Sequence, residues 1–345
     1  MRNDLKKQGS KIRSKFRSKF RLVAAVALIA AAIGTAYMLG IGFGGVHEHD
    51  DGVFVIMPDS AVPLAQSPAV RSSNVLTPVA SGIRVDRSNS AEIDFSNAGN
   101  GYFMVRWTGR NQGDVRVVVV GPDNVQLQYR LNTRGDWEVF PLSSGNGNYI
   151  IRVMENVAGT RFAVKNQLRL DLTLTSEFAP FLRPNQFVNF NAESTAVLLT
   201  NELVEDSDSV LESVGLIFDW VINNIEYDEE LARTVQSGYV PDLERLMERR
   251  RGICFDYASL MTAMLRSQGI PTRLVIGYVG TYYHAWISVF TEEYGWVSNL
   301  IMFDGNTWRI MDPTFAAAAN TPEQAEYIAR TVVGTGANHR AVRYH

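Results

Sequence analysis

The sequence predicts an α+β domain, in which one helix packs on an antiparallel sheet, preceded by an all-β domain and an N-terminal transmembrane helix. Residues 22–45 carry no charge, and residues 75–176 alternate short apolar runs with turn signals. In residues 190–345, a region with helical apolar spacing comes before a region of strand-like runs. With 46% hydrophobic and 20% charged residues, the 345-residue chain has enough apolar side chains to build folded cores.

The N-terminus joins a basic segment to an apolar one. Residues 1–21 contain nine Lys/Arg and one Asp, a local charge of +8 that leaves −11 on the rest of a chain whose total is −3. Residues 22–45 can cross a hydrocarbon core of ~30 Å, and preceding basic residues keep the N-terminus cytoplasmic. We therefore expect an uncleaved signal-anchor in the cell membrane, with most of the chain extracytoplasmic. A signal peptide cleaved near residues 34–36 is the alternative, although apolar residues continue to Phe43.

The next two regions contain no predicted site. Residues 46–74 are typical of a stalk, and His47 and His49 lack a third metal ligand there. Residues 75–176 contain short Val-, Ile- and Tyr-rich runs, which indicate a small antiparallel β-sandwich that acts as a spacer or binds a surface partner. Because the basic residues are concentrated at the N-terminus, we expect no nucleic-acid partner.

The C-terminal region changes to a helical pattern. After a linker with two prolines at 177–190, apolar spacing predicts helices within 194–232, 242–252 and 254–268. Strand-like runs follow at 272–279, 284–290, 294–303 and 307–314, with a hairpin signal at 304–306. The predicted order is therefore a helix followed by an antiparallel meander.

Cys254 is the only cysteine, and it lies at the predicted start of the 254–268 helix. The free N–H groups and the positive potential of a helix N-terminus favour thiolate over thiol and can stabilise an oxyanion. A buried core cysteine and an intermolecular disulfide are the alternatives.

A thiolate nucleophile needs an imidazole and a group that orients it. Of the five histidines, two lie in the predicted stalk, and His339 and His345 lie in a segment that reads as a polar tail, which leaves His284 at the start of a strand. Asp312 ends the 307–314 run. Cys254, His284 and Asp312 thus all lie at element ends on the same side of one helix-plus-meander unit, which suits a nucleophile, a base and an orienting acid.

These motifs resemble the bacterial transglutaminase-like superfamily. The matching stretches are GICFDYASLMTAMLRSQGIPTRLVIGY at 252–278, YHAW and WRIMDPTF, and the resemblance covers roughly residues 195–320. It implies a papain-like α+β fold in which Cys254 is the nucleophile, His284 the general base and Asp312 its orienter. It implies no cofactor and no metal.

The resemblance leaves other roles open. Tyr283 and Trp286 flank His284 and are candidates to line the substrate cleft, whereas we expect Asp256 and Tyr257 to be structural. The side chain that completes an oxyanion hole stays undecided among Trp220, Tyr227 and Tyr257. Residues 292–305 make the gap from His284 to Asp312 longer than in the shortest family members, and they form either an extra hairpin or a cleft wall.

The predicted function is extracytoplasmic acyl transfer through a thioester, on a protein or peptide of the cell surface or cell wall. Hydrolysis, as in a cysteine peptidase or amidase, and transfer to an amine, as in a transglutaminase, both remain open. The alternative is a catalytically silent surface protein that binds or scaffolds with the same fold.

Overall fold

The computed structural model of the protein describes most of the chain after residue 74. The described residues are 75–110, 113–279, 282–292, 295–298, 301–303, 308–310 and 339–345. The predicted cytoplasmic, transmembrane and stalk segments (residues 1–74) lie outside these ranges, and so does Asp312. No helix within these ranges is both long and apolar enough to cross a membrane.

Two antiparallel sheets form the all-β domain that the spacing of turn signals predicts. Its strands are β1 (Val85–Arg87), β2 (Ala91–Asp94), β3 (Tyr102–Trp107), β4 (Val115–Val120), β5 (Gln126–Arg130), β6 (Glu138–Pro141), β7 (Gly147–Ala158) and β8 (Arg161–Leu172). One sheet has the order β1-β2-β3-β6 and the other β5-β4-β7-β8. Apolar residues from both sheets share one core, so the domain is a sandwich.

Burial along the strands follows the period of two that a half-buried strand requires. On β7, Tyr149, Ile151 and Val153 are buried, while the residues between them are half-buried. Trp107 is a core residue, as expected for a large apolar side chain. Trp137 is half-buried, and the Arg106 guanidinium lies 4.7 Å from its ring centre.

The C-terminal part combines five helices with eight strands among its described residues. The helices are α1 (Thr195–Leu203), α2 (Val210–Asn224), α3 (Glu229–Thr234), α4 (Leu243–Arg249) and α5 (Cys254–Ser267). The strands are β9 (Glu226–Tyr227), β10 (Arg251–Gly252), β11 (Thr272–Val279), β12 (Tyr282–Thr291), β13 (Gly295–Ser298), β14 (Ile301–Phe303), β15 (Trp308–Ile310) and β16 (His339–Tyr344). The main sheet has the order β13-β12-β11-β16 and is antiparallel throughout.

Helix α5 packs on one face of this sheet, as predicted. Its buried side chains share a core with α1, α2 and one face of β12, the face of Ala285, Ile287 and Val289. Strands β14 and β15 form a separate antiparallel pair in which Phe303 lies opposite Trp308, consistent with the predicted hairpin around 304–306.

The prediction of a polar C-terminal tail is wrong. Residues 339–344 form the edge strand β16, which pairs with β11, and His345 is buried. The segment is rich in Arg and has no apolar run, so its sequence carries no strand signal. It is held instead by the backbone of Leu274, whose N–H and C=O both bond to His345.

The segment at 177–190, predicted as a linker, is packed between the two domains. Ala179, Pro180 and Phe181 form a buried 3-10 turn. Phe187 contacts the cores of both domains. This segment therefore joins the two domains through apolar contacts, which brings the sandwich close to the start of α5.

Candidate active site

Cys254 is the first residue of α5 and is partly exposed. Ile253 precedes it in an extended conformation and forms no side-chain cap to the helix. Within the described ranges, no side-chain oxygen therefore caps the N–H groups of the first turn. They present donors and partial positive charge beside the sulfur, where negative charge develops during acyl transfer.

The position of Cys254 is fixed by Asp256. Its carboxylate accepts hydrogen bonds from the N–H of Ile253 at 2.8 Å and from the hydroxyl of Tyr239 at 2.7 Å. Burial raises the pKa of the Asp256 carboxyl, and these two hydrogen bonds oppose the rise. A Cβ at Gly252 would lie 2.7 Å from Asp256 Cβ and 2.8 Å from Leu246 Cδ1, so only glycine leaves room for this arrangement.

The chain entering α5 is held by the short parallel pair β9–β10. The N–H of Asp228 donates to the carbonyl of Gly252 at 2.9 Å. From within the helix, the buried Tyr257 hydroxyl donates to the carbonyl of Ile225 at 2.7 Å. Asp256 and Tyr257 therefore have the structural roles expected of them.

His284 lies near the start of β12, opposite Gly277 on β11. It is 8% exposed. Its ring and that of Trp286 are nearly parallel, with centres 6.3 Å apart and planes at 21°, as expected for residues on one face of a strand. The neighbouring Ala285 points to the other face and packs with the α5 core.

A cavity of about 750 Å³ lies between the β-sandwich and the start of α5. Cys254 and His284 both line it, together with Tyr283, which is 59% exposed. The structure thus brings the predicted nucleophile and base to one cavity. Asp312 lies outside the described residues, so its role as the orienting acid stays a prediction.

The comparison with protein families agrees with this geometry. Residues 198–299 match the family model of the Transglutaminase-like superfamily. The matched segment contains α5, β11 and β12, and with them Cys254 and His284. This chain carries a transglutaminase-like domain.

Curated relatives align with the transglutaminase-like domain over a limited length. Protein YebA of Bacillus subtilis is 29% identical over 121 residues, or 29% of this chain and 16% of that protein. The kyphoscoliosis peptidase of Mus musculus is 27% identical over 119 residues, covering 34% of this chain and 18% of that protein. The protein-glutamine gamma-glutamyltransferase of Pseudomonas aeruginosa is 33% identical over 93 residues, covering 23% of this chain and 12% of that protein. The chain therefore spans less than a fifth of the length of each of these relatives.

The remaining candidates of the transglutaminase-like domain differ in position. Trp286 is buried against Val275 and lies over Gly277, so it does not line the cavity that Tyr283 lines. Trp220 and Tyr257 are buried away from the cavity. Tyr227 lines it and is the one residue of the three oxyanion candidates that does.

The all-β domain and β16 supply cavity residues that the sequence patterns did not indicate. Tyr129 and Arg130 line the cavity from strand β5, Phe187 lines it from the interdomain segment, and Arg343 lines it from β16. The Tyr129 hydroxyl lies 2.9 Å from Nδ1 of His345, and burial raises the pKa of Tyr129. Only the packing of distant segments reveals these residues, because none belongs to a motif.

No group of three or more His, Cys, Asp or Glu side chains within the described ranges is arranged to hold a metal ion. The absence of a cofactor remains an expectation from the sequence.

Proposed function

We propose that this protein is an extracytoplasmic, thiol-dependent acyl-transfer enzyme with Cys254 as nucleophile, His284 as general base and Asp312 as the group that orients His284. One observation carries the proposal: the only cysteine of the chain, at a helix N-terminus, opens onto the same cavity as His284. That juxtaposition is what nucleophilic catalysis by a cysteine requires.

The proposed reaction has two steps. His284 takes the thiol proton, the sulfur attacks the carbonyl carbon of an amide, and the oxyanion faces the N–H groups at the start of α5. The C–N bond then breaks as His284 gives its proton to the leaving amine, which leaves a thioester on Cys254. In the second step His284 removes a proton from water or from an amine, which attacks the thioester and releases the thiolate.

The choice between water and an amine decides between a peptidase and a transferase. Relatives whose names state either activity align with this domain, so the proposal covers both outcomes. The proposed substrate is a protein or peptide at the cell surface or in the cell wall, and not a nucleic acid. The large uncharged segment at 22–45 supports membrane attachment, with the basic residues 1–21 in the cytoplasm.

The decisive experiment uses the full chain in detergent and measures the rate of Cys254 alkylation by iodoacetamide from mildly acidic to alkaline pH. Because the chain has a single cysteine, all label reports on this residue. We expect fast alkylation at mildly acidic and neutral pH that slows in His284→Ala and, to a smaller extent, in Asp312→Asn. A Tyr278→Phe variant removes one hydroxyl and keeps the ring that contacts Tyr283, so it should retain the wild-type profile.

The same preparations are then tested for release of amine from casein and for incorporation of a fluorescent primary amine into casein. We expect at least one activity in the wild type and neither in Cys254→Ser. Alkylation that matches a free thiol and does not respond to His284→Ala, together with no activity, would establish the catalytically silent binding protein instead. Protease digestion of intact cells tests the topology: a fold exposed outside the membrane is cut, and a cytoplasmic one is protected.

A further inference from the structure

We propose that the cavity contains a carboxylate-binding subsite formed by Arg343, with Arg116 and Arg130 opposite it, and that the enzyme selects acidic peptides. The inference deepens the proposed function and rests on it, because a substrate subsite has meaning only beside a reactive Cys254. It concerns the charge of the substrate segment that flanks the scissile amide.

The charges around the cavity are unbalanced. Of the described residues that line it, three are arginines and none is Asp or Glu. Arg116 and Arg130 come from the all-β domain, and Arg343 comes from the edge strand of the transglutaminase-like sheet. The two walls of the cavity therefore present the same sign of charge to whatever enters between them.

The two arginines of the all-β domain share one carboxylate. Asp114 accepts hydrogen bonds from Arg116 at 3.0 and 3.1 Å and from Arg130 at 3.1 Å. Partial burial acts to raise the pKa of Asp114, and the two arginines outweigh it and lower the pKa. Arg116 is also stacked 4.2 Å from the ring centre of Phe162, so it is held in place. This wall keeps one positive charge that Asp114 does not neutralise.

Among the described arginines that line the cavity, Arg343 is the one that belongs to the same sheet as His284. It lies opposite Ile276 on β11, and Ile276 lies opposite Ala285 on β12, next to His284. Two strand spacings put Arg343 about 10 Å from Ala285 across the sheet. Arg343 is half-buried, and no described carboxylate forms an ion pair with it.

The field of Arg343 reaches the mouth of the site. Burial raises the pKa of Tyr283, and the charge of Arg343 opposes that rise. Because no described carboxylate pairs with the Arg343 guanidinium, a ligand carboxylate can bind it without displacing an anion of the protein. Its planar fork matches a carboxylate with two parallel hydrogen bonds.

The distances suit a peptide. The spacing of about 10 Å between Arg343 and Ala285, the neighbour of His284, equals about three residues of extended chain, so we place the carboxylate on a side chain about three residues from the scissile amide. A cavity of about 750 Å³ lies in the range that encloses a ligand of this size.

The test compares two alkylating agents that differ only in charge. Iodoacetate carries a carboxylate and iodoacetamide is neutral, and the ratio of their rates at Cys254 is divided by the same ratio for N-acetylcysteine. We expect the normalised ratio to favour iodoacetate, to fall with added salt, and to drop about 3- to 10-fold in Arg343→Gln. Division by the iodoacetamide rate removes any change that Arg343→Gln makes in the reactivity of the thiol itself.

Arg340→Gln is the matched control. Arg340 is an exposed residue of the same strand, stacked 4.8 Å from the ring centre of Tyr278, and it does not line the cavity. The Arg340→Gln substitution removes the same charge from β16 as Arg343→Gln does. A purely long-range effect of net charge would therefore lower the normalised rate ratio equally in both variants, and that result would contradict the subsite.

A second arm measures protection of Cys254 by triglutamate, by triglutamine and by inorganic phosphate. Triglutamate should slow alkylation in the wild type and in Arg340→Gln, and it should do so at least about 10-fold less effectively in Arg343→Gln. Equal protection by triglutamine, or protection by phosphate alone, would overturn the acidic-peptide assignment. A Cys254 that reacts like a free thiol and ignores His284→Ala refutes the proposed function instead, so the two failures are told apart.

Discussion

The hydroxyl of Tyr129 in the all-β domain and Nδ1 of His345 beside strand β16 lie 2.9 Å apart in a fully buried contact between the two domains. The rings of both residues also touch Phe187, with centres 5.4 and 4.9 Å from it. Residues more than two hundred positions apart in sequence therefore meet behind the cavity wall. The contact makes the cavity depend on how the domains are joined.

This contact predicts a loss of stability in acid. Burial, with the charges of Arg343 and Arg266, lowers the pKa of His345 from 6.5 to about 3. Between these two pKa values the His345 imidazole is protonated in the unfolded chain and neutral in the folded chain. The stability that neutral His345 contributes is therefore fully present above pH 6.5 and falls as the pH drops towards 3. At about pH 5 the cost is on the order of 2 kcal/mol.

Urea unfolding at neutral pH and at about pH 5 measures this cost. In His345→Gln the difference between the two pH values should shrink by about that amount. Equal pH dependence in the variant and the wild type would mean that His345 titrates normally in the folded protein.

Replacement of Gly252 by Ala should displace the start of α5. The added Cβ would meet Asp256 and Leu246 at under 3 Å, so we expect a loss of about 1–3 kcal/mol in the free energy of unfolding and altered Cys254 alkylation. Gly99→Ala is the control, since a Cβ there meets its nearest atom at an ordinary 3.5 Å. If Gly252→Ala and Gly99→Ala both have the stability and the Cys254 alkylation rate of the wild type, the close approach at residue 252 does not require glycine.

The Tyr239 hydroxyl should stabilise the ionised form of Asp256. Because burial raises the pKa of this carboxyl, its ionised form costs stability as the pH rises through that pKa, and the donor from Tyr239 limits the cost. Tyr239→Phe should therefore lose about 1 kcal/mol at neutral pH and less in acid, measured by urea unfolding. A loss that does not depend on pH would assign the effect to packing.

Arg266 joins three segments through a buried guanidinium. It donates to the backbone oxygens of Thr272 at 2.9 Å, Arg183 at 2.7 Å and His345 at 2.6 Å, and burial lowers its pKa to about 9. Arg266→Met should cost about 3–5 kcal/mol, because three acceptors lose their donor and two of these hydrogen bonds are fully buried. Arg266→Lys keeps a donor but not the planar fork, so it should recover part of the loss in thermal unfolding. An Arg266→Met protein as stable as the wild type would show that water satisfies these backbone oxygens.

Local patterns explain why much of the fold is predictable. The start of α5 is marked by Gly252 and by Asp256, whose reach-back bond acts over three residues. Alternation along β12 correctly places His284 and Trp286 on one face. In both cases the interactions that select the structure lie within a few residues of chain, where sequence spacing reports them directly.

Spacing could not place the side chains that depend on distant partners. Trp286 was expected at the cleft, yet Gly277 on the neighbouring strand leaves space that its ring fills. The segment containing His345 reads as a polar tail because its partners, Leu274 and Tyr129, are far away in sequence.

The amino-acid sequence alone was sufficient for the run of short strands in the all-β domain, the helix that begins at Cys254 and the family that its motifs resemble, because each depends on short-range capping, alternation and turn chemistry. The cavity depends instead on docking of the all-β domain, which brings Tyr129 and Arg130 to Cys254, and on the pairing of β16 with β11, which brings Arg343 there. That docking is a sum of long-range contacts through residues such as Phe187, and no local pattern encodes it. The charge that a substrate meets beside Cys254 is therefore a property of the assembled chain.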